Sequence, residues 1–151
     1  TKKHDEDLVH AVLKNVCGFL NTQGGDLIIG INDRTREVVG IDFDFFTDTE
    51  DYIRRVTDSI ANNFQENPIR NCQIFIEEID NKKVLLIKVG PGTEPSFLVH
   101  KKWNKSKKHD TDHEIYYTRQ GDSAIPLKFR DTLFDLSKNF PNSEYLRRSR
   151  T

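Results

Sequence analysis

The sequence predicts an α+β fold: a mixed, mainly antiparallel β-sheet of about six strands packed with three main helices. Three observations carry that reading. Apolar residues recur at three- and four-residue spacing near both ends of the chain and again around residues 49–64, the period of a helix face. Between those segments lie short runs of Val, Ile, Leu and aromatic residues, the composition of half-buried strands. Gly, Pro, Asn and Asp punctuate the runs, as turns require.

Taken in order, residues 5–21 form the first helix, with Val9, Val12, Leu13, Val16, Phe19 and Leu20 on one face. Asp5, Glu6 and Asp7 sit where the helix dipole favours negative charge. Gly24 and Gly25 close the helix, since the chain there must enter the left-handed region. Residues 26–31 follow as a buried strand, 32–35 as a turn, and 37–41 as the strand that returns. A second helix spans about 49–64, faced by Tyr52, Ile53, Val56, Ile60 and Phe64 and capped by Thr49. Runs 72–76 and 84–89 flank Asp80-Asn81-Lys82 as a hairpin, and 97–99 and 114–118 are further strands. The last helix covers about 127–140 and packs through Leu133, Leu136 and Phe140; Pro141 stops it, and residues 142–151 are a polar tail.

At 151 residues the chain reads as one domain, with 35% apolar and 31% charged residues. Ten Phe and the regular apolar runs argue against disorder. No apolar run approaches the ~18 residues of a membrane span, so no membrane partner is expected. Cys17 and Cys72 lie in apolar stretches without metal-ligand spacing and read as buried thiols of a reducing, cytoplasmic compartment. The chain has no Met, so Thr1 is not a translational start and a longer protein is expected. The net charge of −1 hides an asymmetry: residues 1–100 hold 11 Lys and Arg against 17 acids, and residues 101–151 hold 12 against 7.

The basic surplus is thus concentrated in the last third, where Lys101, Lys102, Lys105, Lys107 and Lys108, interleaved with Trp103, stand out in a segment, 101–113, expected to be a basic hairpin loop. Lysines neutralise phosphates and an exposed indole can stack on an unpaired base; a solvated charged loop with Trp103 tucked inward is the alternative. His109 and His113 beside Asp110 and Asp112 suggest a metal site, but zinc ligands normally sit on rigid elements with further His or Cys at hand. Gly24-Gly25 lacks the remainder of a phosphate loop, and no nucleophile-base arrangement has supporting context.

Three stretches together resemble the Schlafen AlbA-like family. Residues 18–33, Gly-Phe-Leu-Asn-Thr-Gln-Gly-Gly-Asp-Leu-Ile-Ile-Gly-Ile-Asn-Asp, are similar to its helix-to-strand signature. Glu37-Val38-Val39-Gly40-Ile41 resembles the strand that follows, and residues 114–123, ending in Thr118-Arg119-Gln120-Gly121-Asp122-Ser123, resemble its strand-and-turn motif. The resemblance runs from about Asp7 to Phe140. It implies a nucleic-acid-binding domain, for RNA or DNA, in which Arg119, Gly121 and Ser123 join the lysines in contacting phosphate and no cofactor is required. Arg119 pairing with a structural acid and Gly121 permitting a turn are the bland alternatives. Schlafen-type members include metal-dependent endoribonucleases, whose two upstream glutamates would precede Thr1; of their carboxylates only the counterpart of Asp33 is visible. Asp33 is thus the single catalytic and metal-ligating candidate, with Mg or Mn as the metal of a nuclease, and this chain by itself is expected to be inactive. Asn32 stands where the family has a first aspartate, and Asp33 can equally be a turn residue. A dimerising protein-interaction scaffold, with a homodimer as its assembly, is the third reading.

Overall fold

The computed structural model describes residues 2–41, 48–104 and 109–149; for 2–7, 100–104, 109–112 and 147–149 it gives the backbone course alone. Within them the chain is α+β, with four helices and seven strands, all paired antiparallel. β1 (Gly25–Ile29), β2 (Cys72–Ile79) and β3 (Lys82–Val89) form a three-stranded sheet in the order β1-β3-β2. β4 (Leu98–Asn104) pairs β5 (His109–Ile115), and β6 (Tyr117–Gln120) pairs β7 (Ser123–Pro126).

α1 (Lys2–Leu20) turns Val12, Leu13, Val16, Cys17, Phe19 and Leu20 into the core, and Val9, at the rim of the expected face, is 37% exposed. α2 (Thr49–Asn62) contributes Tyr52 and Ile60, with Ile53 and Val56 half-buried beside them. Both helices share one cluster with the sheet face carrying Leu27 and Ile29, Ile74 and Ile76, and Leu85, Ile87 and Val89. The ladder explains that sharing: Leu27↔Ile87 and Ile74↔Ile87 are direct partners, so alternate residues of three strands meet on one side. A smaller cluster joins α3 (Phe129–Asn139) and α4 (Glu144–Ser149) to Tyr116 through Leu136, Phe140 and Leu146.

Several expectations change. The predicted returning strand at 37–41 reduces to one bridge, Ile31↔Val38. Gly30 (φ 113°) and Gly40 (φ 80°) bend the chain, and the Gly30 carbonyl accepts from both Val39 and Gly40, so the antiparallel pairing does not extend beyond that bridge. Asp48 caps α2 in place of Thr49, accepting the Asp51 N–H at 2.8 Å. The single strand expected at 114–118 divides between two sheets at Tyr116, and β7 is a strand beyond those expected. The polar tail begins as α4, because Tyr145 and Leu146 pack against Phe97 and Phe140. The loop expected over 101–113 is largely strand, with β4 and β5 in register from Leu98↔Ile115 to Asn104↔His109. Cys17 is fully buried, whereas Cys72 is half-buried.

Candidate functional site

The C-terminal half of α1 and strand β6 meet at Arg119. Its Nη1 donates to Asn15 Oδ1 at 2.6 Å, its Nη2 donates to the Gly121 carbonyl at 3.4 Å, and its guanidinium lies 4.5 Å from the centre of the Phe19 ring. Asn15 and Phe19 are four residues apart and therefore neighbours on one helix face. Gly18 makes the approach feasible, since a Cβ there would stand 3.0 Å from Arg119 Cδ and 3.3 Å from the Thr118 carbonyl. The Arg119 fork therefore runs along α1, half-buried, and its partners are an amide and an aromatic face, not the structural acid of the alternative reading.

Asn21 is the second convergence. It is wholly buried; its Nδ2 donates to the carbonyls of Ser96 and Tyr117 at 2.9 Å each, and its Oδ1 accepts the Ser96 N–H at 2.7 Å. One amide thus ties α1 to the 91–97 loop and to β6. The neighbouring Cys17 thiol donates to the Ser96 carbonyl at 3.4 Å, and burial pushes it up to about 12, which makes it inert as a nucleophile. Gly24 takes φ 78°, and a Cβ there would lie 2.4 Å from the Val89 carbonyl; a Cβ at Gly25 would collide with the Phe19 ring. The glycine pair is helix punctuation and close packing, as the sequence suggests.

Asp33 lies in the exposed turn after β1. Asn32, not Asp33, shapes that turn: its Oδ1 accepts from the N–H groups of Arg34 and Thr35. Among the described residues no three His, Cys, Asp or Glu side chains are grouped to hold a metal. Gly121 has φ 60° with nothing within 4 Å of its would-be Cβ, and Ser123 donates to Asp122 at 3.4 Å.

The β4–β5 hairpin is rooted by Leu98, buried in the main core, and by Ile115 packed against it. Lys101 lies three rungs out from that base, about 10 Å along the strand. In the register Lys101 is paired with Asp112, Trp103 with Asp110 and Lys102 with Thr111. Lys105, Lys107 and Lys108 lie outside the described residues.

Residues 1–128 match the family model described as Schlafen, AlbA_2. The chain belongs to the Schlafen AlbA_2 family. Membership marks it as a nucleic-acid-related domain. No curated protein matches significantly. Among solved structures, the crystal structure of the DIP2311 protein from Corynebacterium diphtheriae is similar, with a TM-score of 0.57 and 20% identity, and the alignment covers 88% of this chain. The chain spans about a fifth of that protein's length, the alignment covering 20% of it.

In this Schlafen AlbA_2 domain the first and third signature stretches touch one another. Gly18 and Phe19 pack on Arg119, and Asn21 bonds to Tyr117, so much of the signature holds α1 against β6. Sequence reasoning missed Asn15 and Asn21 as the partners of that junction. The available signal was an uncharged amide beside the apolar face at Asn15 and another directly after the helix at Asn21. It also passed over Phe129 and Phe134, which α3 leaves 80% and 74% exposed.

Proposed function

We propose that this domain binds nucleic acid through its phosphates, with the lysines of the β4–β5 hairpin as the principal contact. The turn carrying Arg119, Gly121 and Ser123 supplies a second contact, and Trp103 a face for an unpaired base. The observation that carries the reading is a family match over residues 1–128 in a chain whose basic surplus falls in its last third, where Lys101 and Lys102 lie on β4. Five lysines over eight residues give a dense positive charge, and release of counterions from the phosphates drives such binding. Lys101 and Lys102 are not equivalent in this scheme. In the register Lys101 pairs with Asp112 and Lys102 with Thr111, and an acid at the paired position works against a lysine's attraction for phosphate. Inside a longer protein the domain would serve a regulator or defence effector as its nucleic-acid-engaging module.

Fluorescence anisotropy with labelled RNA and DNA oligonucleotides over a salt series tests this. Log affinity should fall linearly with log salt, and Lys102→Glu should weaken binding more than Lys101→Glu, about equally for every sequence. Removing one lysine that meets a phosphate should make that slope shallower by about 0.7 to 0.9. Binding to neither polymer, or affinity that ignores salt, would remove the proposal.

A further inference from the structure

Helix α3 carries two phenyl rings that neither hydrophobic cluster takes up. Its buried side is formed by Thr132 and Leu136, and Phe140 follows them into the smaller core. Phe129 is nevertheless 80% exposed and Phe134 74%, the two largest exposures among the large apolar residues described. Around them stand exposed Lys128, Arg130 and Lys138. Arg130, Phe134 and Lys138 follow at four-residue steps, so they form one stripe along the helix surface with a cation on each side of the ring. Asp131 is the exposed acid of the helix; Asp135 is half-buried and accepts from Tyr116 Oη at 2.5 Å and from Asn139 Nδ2 at 3.1 Å. The outward side of α3 therefore carries three cations against one anion.

From this arrangement we infer that α3 is a second nucleic-acid contact, one that takes unpaired bases on Phe129 and Phe134 and phosphates on Lys128, Arg130 and Lys138. The inference rests on the nucleic-acid reading above and narrows it to single-stranded segments. A protein partner fits the geometry less well. Five residues of helix set the two rings about 140° apart around the axis and about 7.5 Å along it, so they do not join into one apolar patch. Protein interfaces need a contiguous desolvated centre depleted in lysine. Isolated rings each flanked by cations are instead the pattern of a stacking platform, where every base offers a π-face and each phosphate a counter-charge. Duplex bases are already stacked and cannot use the rings.

The test measures binding of one labelled oligonucleotide as a single strand and as a duplex, for the wild-type chain, Phe134→Ser, and Phe129→Ser with Phe134→Ser. Both rings are exposed, so circular dichroism should show unchanged folding. The expected result is a loss of about tenfold or more in single-strand affinity for the double variant, with duplex affinity unchanged. Wild-type binding that the variants retain in full would overturn the α3 platform and leave the hairpin reading standing. A wild-type chain that binds no nucleic acid would overturn both. If the rings instead govern self-association, seen by sedimentation as a dimer that the double variant abolishes with single-strand affinity intact, the surface belongs to a second copy and the inference fails.

Discussion

Asn21 shows how much a single buried amide can organise. Its side chain satisfies two carbonyls and one N–H from segments 75 and 96 residues away, in a setting where unpaired polar groups are costly. Asn21→Ala should destabilise the fold by about 2–4 kcal/mol, since it strands at least two of those groups. Asn21→Asp should cost at least as much, because a carboxylate cannot donate to the Ser96 and Tyr117 carbonyls. Urea unfolding monitored by circular dichroism would show both as lowered midpoints; an unchanged midpoint for Asn21→Ala would deny the amide this role. Arg119 is read in the same way. Sequence chemistry offers its fork to phosphate, while the structure commits two of its N–H groups to Asn15 and Gly121. It positions β6 before it can meet a ligand.

At the level of elements, three turns illustrate different demands on the chain. β2 and β3 are joined by Asp80 (φ 52°) and Asn81 (φ 64°), the two left-handed residues a tight hairpin needs and the residue types that tolerate them. Gly24 and Gly121 both have positive φ, but only Gly24 is also pressed against backbone. Gly121→Ala should therefore cost about 1 kcal/mol from strain alone, and Gly24→Ala distinctly more, since Cβ and the Val89 carbonyl would overlap. Thermal melts of the two variants side by side would check the order, and equal losses would show that the crowding at Gly24 is relieved cheaply. The hairpin of β4 and β5 adds a lesson about charge. Five lysines look equivalent along the sequence, but cross-strand register sets Lys101 against a carboxylate and spares Lys102.

For the molecule as a whole, burial of weak acids sets the response to alkali. Burial pushes the Cys17 thiol up to about 12 and the Cys72 thiol up to about 11 from an ordinary 9.0. Tyr116 is raised as well, by burial first and then by its bond to Asp135, and Tyr117 by burial and the nearby Cys17. In the unfolded chain the thiols lose their protons near pH 9, while the folded protein still holds them. The stability linked to these groups is complete below pH 9 and is lost as pH rises toward 11 and 12, by about 1.4 kcal/mol per pH unit for each proton so linked. Urea midpoints should thus be steady through neutrality as far as these groups are concerned and decline above pH 9, more shallowly in Cys72→Ala. A midpoint that held constant from pH 9 to 11 would contradict the account. At pH 8 neither thiol should react readily with an aromatic disulfide until the protein is unfolded.

Local pattern was enough for the helices at 5–21, 49–64 and 127–140, the hairpin from Cys72 to Val89 and the family signature. Each of these depends on periodicity or on a turn residue within a few positions. Long-range contact decided the rest. Whether 37–41 would pair as a strand depended on Gly30 and Gly40 folding back on each other, and whether 142–151 would be a tail depended on Phe97 and Phe140 being there to receive Tyr145 and Leu146. The same holds for the candidate contacts: residue types name Lys101, Lys102 and Arg119 as binders of phosphate, but only the fold sets Lys101 in register with Asp112 and the Arg119 guanidinium over Phe19. Side-chain chemistry is local, whereas its neutralisation is a matter of what the fold brings alongside.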